Sequence, residues 1–230
     1  MPLTSTKKKN AVKISGVLFG ESAAGKTTLI KTCVSGDDFS SVLLIDADNG
    51  TLALRGLDVP VWSVESEADV TDLIRYLKSK EAEHIRWIWF DSLTAAATMH
   101  LNAGKAKESN PMRAYGNTQD WVMQLIGELG KLPQNVIYVC ELDKVTDEQG
   151  RVMFGPAMPG AKLSTRLPYY VDFVFALQVV TGEDGNSVRR LQCNPCGRWT
   201  AKDRSGMLPQ FIESENINFG KMANAILQAN

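Results

Sequence analysis

The chain has 230 residues, 44% hydrophobic and 22% charged, with a formal net charge of −1. That length gives one large domain an ample core, and the near-neutral balance excludes a protein that coats nucleic acid by bulk charge. No apolar run is long enough to cross a bilayer, and the four cysteines do not make a metal site, since Cys193 and Cys196 have only His84 and His100 to join them. The expected compartment is the cytoplasm, where thiols stay reduced.

In chain order, residues 1–11 read as a flexible basic tail and 12–230 as a single domain. The Lys-rich start runs straight into an apolar strand at 12–19, so it does not read as a removable signal. A turn follows at 20–25 and a helix at 26–34. Further strands are expected at 41–45, 59–64, 85–90 and 136–140. Ser66-Glu67-Ala68-Asp69 has the form of a capping box, opening a helix with Val70, Leu73, Ile74 and Leu77 on one face. Residues 102–117 read as a polar connection before an amphipathic helix through Trp121, Leu125, Ile126 and Leu129. Gly150, Gly155, Pro156, Pro159 and Gly160 punctuate an expected loop region. Residues 171–180 and 187–193 predict a hairpin across 182–185. Strands alternating with helices, each strand a continuous apolar run, predict an α/β fold with a doubly wound, mainly parallel sheet and a C-terminal antiparallel hairpin.

Gly20-Glu21-Ser22-Ala23-Ala24-Gly25-Lys26-Thr27 satisfies G-x-x-x-x-G-K-[ST], with a strand before it and a helix after it. Glycines let the backbone curl so that several N–H groups face one phosphate, and the helix start adds positive potential. Lys26 is expected to reach the β- and γ-phosphates, Thr27 to ligate Mg²⁺, and Thr28 to point a hydroxyl at the α-phosphate. The expected ligands are therefore ATP and Mg²⁺. Asp91 ends an apolar strand, where open parallel sheets collect their ligands, and is expected to join Thr27 at the metal. Ser92 follows it rather than Glu, so the acid that orients the attacking water should come from another strand end. Asp48 and Glu141 are both candidates, and Asp46 is a third.

At these residues the chain resembles the RecA-like P-loop ATPases, which include strand-exchange recombinases and DnaB-type helicases. It is most similar to short phage-encoded RecA-like proteins of recombination and single-strand annealing. The resemblance spans residues 12–212. Phe90-Asp91-Ser92 resembles the recombinases' Walker B segment. Ile45-Asp46-Ala47-Asp48 resembles their strand ending in Asp-x-Glu, so Asp48 stands in the place of the base, one methylene shorter. Glu141 falls where a recombinase glutamine senses the γ-phosphate. Pro159-Gly160 and the segment from Leu167 to Asp172 are similar to the phage group's signature. Ala201-Lys202-Asp203-Arg204-Ser205-Gly206 resembles the helicases' Lys-x-Arg segment, which implies that Lys202 and Arg204 reach the nucleotide of a neighbouring subunit. No N-terminal domain or Phe-x-x-Ala sequence is recognisable, so filament formation is not implied.

The resemblance implies a RecA-like core in which the Glu141 strand lies between the loop strand and the Asp91 strand. It also implies a homo-oligomer acting on single-stranded DNA with phage recombination or replication proteins. Lys105, Lys107 and Arg113, then Lys144, Arg151 and Lys162 with Phe154, would face the DNA, where cations meet phosphates and an aromatic stacks on a base. The basic Lys7, Lys8 and Lys9 offer another place for it. Two other classes share the loop: a nucleotide-dependent switch with little hydrolysis and a protein partner, and a small-molecule kinase.

Overall fold

The computed structural model describes residues 13–228 apart from 147–148 and 183–184. The expected basic tail, Lys7 to Lys9 included, lies outside the described residues. Strands β1 (Ser15–Gly20), β2 (Val42–Asp46), β3 (Val61–Ser63), β4 (Trp87–Asp91) and β5 (Asn135–Cys140) run parallel. A hairpin of β6 (Leu142–Thr146) and β7 (Val152–Pro156) stands apart as its own small sheet. Strand β8 (Phe173–Thr181) pairs parallel with β1, and then the chain reverses through β9 (Ser187–Gln192), β10 (Lys202–Asp203) and β11 (Phe211–Glu213). The main sheet has nine strands in the order β11-β9-β8-β1-β5-β4-β2-β3, with β10 on β8. The expected α/β architecture, with its terminal hairpin, is what the chain adopts. β5 lies between the loop strand β1 and the Asp91 strand β4.

The sheet divides the core into two layers because successive strand side chains face opposite ways. Val17, Phe19, Ile45, Phe90 and Tyr138 face one side, under helices α1 (Glu67–Leu77), α2 (Leu93–Lys107), α3 (Pro111–Gly130) and α4 (Ala161–Tyr170). Leu18, Leu44, Trp89, Val139 and Phe175 face the other, under the segment after the phosphate loop and helix α5 (Phe219–Gln228). Full burial on both faces is why these strands are continuous apolar runs.

Local chemistry sets the elements. α1 begins at the capping box: Ser66 accepts from the Asp69 N–H, and the Asp69 carboxylate accepts from the Ser66 N–H. The expected helix at 26–34 is instead a 3-10 helix, Thr27–Cys33. Thr28 and Thr32 each donate a hydroxyl bond at 2.7 Å to the carbonyl three residues back, which suits that tighter winding.

Residues 102–117 are not a connecting loop. They hold the end of α2, a turn at 108–110 and the start of α3. Ser92 caps α2 by accepting from Ala95 N–H, while Asn110 caps α3 by accepting from Met112 N–H, with Pro111 at the first helical position. The two helices pack through small residues, Gly104 facing Ala114, and through the His100–Trp121 ring stack. The region punctuated by Gly150 and Gly155 is likewise no simple loop but the β6–β7 hairpin and the start of α4.

Candidate functional site

The loop leaves β1 at Gly20, whose missing side chain is required by sheet geometry: a Cβ there would lie 2.3 Å from the Leu177 carbonyl oxygen of β8. Ala23 (φ 62°) and Gly25 (φ 93°) adopt left-handed backbone, which turns successive N–H groups inward. For Ala23 that conformation costs about 1 kcal/mol, and it is maintained by the loop around it. Ala24 is buried, while Glu21 and Ser22 are exposed at the mouth.

A cleft of about 630 Å³ opens over the loop. Lys26 and Thr27 line it from the loop, Asp91 from the end of β4, Asp48 from beyond β2, and Glu141 and Lys144 from beyond β5. The Thr27 hydroxyl donates to the Asp91 carboxylate at 2.5 Å. The Lys26 ammonium donates to the Gly20 and Glu21 carbonyls at 2.8 and 2.9 Å. Thr28 points its hydroxyl back at Gly25.

Burial shapes the electrostatics. It pushes the Asp91 carboxyl up to about 6, opposed by the Thr27 bond and reinforced by the Asp48 charge. Burial also lowers the Lys26 ammonium, partly offset by Asp91 and Glu141. Cys140, in the cleft wall, is pushed by burial up to about 12 and stays a thiol.

The acids differ in their freedom. Asp46 is buried, and its carboxylate accepts the N–H groups of Asp48 and Gly50, so it holds the turn. Asp48 and Glu141 are exposed in the cleft, and neither carboxylate accepts a hydrogen bond among the described residues. Glu141 is steadied through its backbone: Thr94 accepts its N–H at 3.1 Å and donates to Ala157 at 2.8 Å.

Lys202 and Arg204 lie elsewhere. Arg204 binds Asp172 at 2.6 Å, and the Asp172 N–H bonds Ser15, at the start of β1. Lys202 donates to the Pro168 and Val171 carbonyls, where a cation suits the end of α4. Lys105 and Lys107 occupy the last turn of α2, Arg113 the first turn of α3 and Lys162 the first turn of α4. These are helical positions, not the loops expected, though all four residues are exposed. Arg151 precedes β7 and binds Gln149.

Two neighbours of the loop carried no local sequence signal. Arg189 of β9 donates to the Ala24 carbonyl at 2.8 Å, and its guanidinium lies against Gly25, where a Cβ would meet it at 2.9 Å. Trp199 stacks on Phe19, the residue before Gly20, and on Phe154 of β7. Arg189 arrives through the pairing of β9 with β8, and Trp199 through an isolated bridge to Phe154.

Among the described residues no helix is long and apolar enough to cross a membrane. No curated protein matches the chain. The family model of an AAA domain matches residues 12–205, which takes in the loop, the acids Asp46, Asp48, Asp91 and Glu141, and the β8–β9 hairpin. With a P-loop of that geometry at the head of a parallel α/β sheet, the chain belongs to the AAA-domain family of nucleotide-binding P-loop ATPases.

Proposed function

We propose that the protein binds ATP with Mg²⁺ and hydrolyses it to ADP and phosphate. One observation carries the reading: the Thr27 hydroxyl and the Asp91 carboxylate meet at 2.5 Å inside the cleft that holds Lys26. Mg²⁺ is held by one or two protein oxygens plus phosphates and water, and this hard-oxygen pair fits it. When bound, the metal neutralises charge on the β- and γ-phosphates. Lys26 exchanges the Gly20 and Glu21 carbonyls for phosphate oxygens, and the loop N–H groups cradle the β-phosphate. Asp48 acts as the base that orients the attacking water, and Glu141 senses the γ-phosphate.

The finer reading is a RecA-like protein acting on single-stranded DNA in recombination or annealing, as a homo-oligomer with phage partners. The sheet order supports it, as do the exposed cations Lys105, Lys107, Arg113 and Lys162. A groove of about 460 Å³ has Phe154 in its wall and Tyr169, which is 79% exposed, at its edge, and the Tyr169 ring offers bases a stacking surface. Arg204 acts as the finger on a neighbour's γ-phosphate. Its ion pair with Asp172 is exposed and worth under about 1 kcal/mol, so the guanidinium is released cheaply. A switch with little hydrolysis is the second reading, favoured by the unsupported carboxylates of Asp48 and Glu141.

Phosphate release, measured with and without single-stranded DNA, tests these readings. Lys26→Ala should abolish turnover in a folded protein. Asp48→Asn should retain nucleotide and slow turnover by ~10²-fold. Should Glu141→Gln do this instead, the two acids exchange roles. Normal hydrolysis by Lys26→Ala would sink the site, while low turnover indifferent to DNA would favour the switch.

A further inference from the structure

Lys144 had an expected place facing DNA, but the structure puts it in the wall of the nucleotide cleft. Among the described lining residues the cations are Lys26 and Lys144, set against Glu21, Asp48, Asp91 and Glu141. Lys26 comes from the loop. Lys144 comes from β6, three residues beyond Glu141, on a separate two-stranded sheet.

That sheet is anchored. Lys144 pairs in register with Phe154, and its ammonium lies 5.9 Å from the centre of the Phe154 ring. Phe154 stacks on Trp199 at 4.6 Å, and Trp199 on Phe19 at 6.0 Å. Backbone bonds from Phe154 N–H to Arg198 and from Thr200 N–H to Phe154 hold the same junction. Phe19 immediately precedes the phosphate loop. The ammonium therefore rides on an aromatic stack that starts at the strand carrying the loop.

We propose that Lys144 is a catalytic residue acting in cis, its ammonium contacting the γ-phosphate of the nucleotide bound to its own subunit. As water attacks phosphorus and gives its proton to Asp48, the bond from phosphorus to the β–γ bridging oxygen breaks, ADP leaves, and negative charge is spread over that oxygen and the equatorial oxygens of the transferred γ-phosphoryl group. A second fixed cation stabilises that charge. Arg204 cannot do this within one subunit, because its partner Asp172 is bonded to Ser15, at the far end of β1 from Gly20. The inference rests on the ATPase reading above and adds the subunit's own source of transition-state charge.

The test uses the full chain with Lys144→Met and Lys144→Arg, reading phosphate release and, separately, binding of a non-hydrolysable ATP analogue. Lys144→Met should lose kcat by ~10²-fold with far less change in analogue affinity, and Lys144→Arg should recover part of it. Mixing Lys144→Met with Lys26→Ala should give no gain, since cation and loop must belong to one subunit. A gain on mixing, or an unchanged kcat with weakened DNA binding, overturns the assignment. A wild-type protein without turnover overturns the ATPase reading together with this one. Turnover abolished by Lys26→Ala but indifferent to Lys144→Met overturns this one alone.

Discussion

Asp91 is a carboxylate that the fold keeps at a cost. Its carboxyl sits at about 6 in the folded chain against an ordinary 3.8, so the folded state binds the proton more tightly than the unfolded one. The resulting penalty is absent at low pH, grows as pH rises from about 4 to about 6, and is constant above that. At neutral pH it amounts to roughly 1–3 kcal/mol. Asp91→Asn should therefore raise the unfolding midpoint of the nucleotide-free protein at pH 7.5, with the gain shrinking toward pH 4. If Asp91 holds Mg²⁺ as proposed, the same variant should also lose any extra stability gained on adding Mg²⁺ with ATP, a pairing that thermal denaturation reads directly. Residues of this kind were legible because their chemistry demands fixed types at fixed spacing: Gly25, Lys26 and Thr27 in one run, Asp91 at a strand end. Arg189 was not, because the pairing of β9 with β8 brings it to the loop, and Lys144 was legible only as a DNA-facing cation, because the β6–β7 hairpin is what sets it at the cleft.

Among the elements, β1 shows how strand pairing constrains the loop. Gly20 is in register with Leu177, and a methyl group there would strike a backbone carbonyl that cannot rotate away. Gly20→Ala should cost ~1–3 kcal/mol by prising β1 from β8. Gly127 in α3 has open space around it, so Gly127→Ala should instead stabilise by up to ~1 kcal/mol. Denaturant midpoints of the two variants should move in opposite directions. The long parallel strands were readable from their apolar runs. The junction of α2 and α3 was not, because Asn102, Lys105 and Lys107 are the solvent face of a helix whose buried side is small: Ala96, Ala97 and Leu101. Asn110-Pro111 was the available sign of a new helix. The β6–β7 hairpin was hidden by its glycines.

At the scale of the molecule, the sheet has two unlike ends. The phosphate loop opens at one, and Arg204 sits near the other, roughly 16 Å away along β1 at ~3.3 Å per residue. If Arg204 serves a neighbour, the subunits must stack head to tail, an arrangement that generates rings or open helices rather than two-fold dimers. Turnover per subunit should then climb with protein concentration, and Arg204→Ala mixed with Lys26→Ala should regain activity where each alone has little. The order of the central strands was anticipated by resemblance, whereas the placing of Arg204 relative to the loop depends on how β10 returns along β8. The aromatic stack also makes the protein its own optical probe. Of its five tryptophans, Trp199 alone among those described stacks on the residue leading into the phosphate loop. Trp87 and Trp89 lie under α5, while Trp62 and Trp121 lie against Tyr76 and His100. Intrinsic emission should shift as nucleotide fills the cleft, and Trp199→Phe should silence that signal while leaving the fluorescence of the core intact.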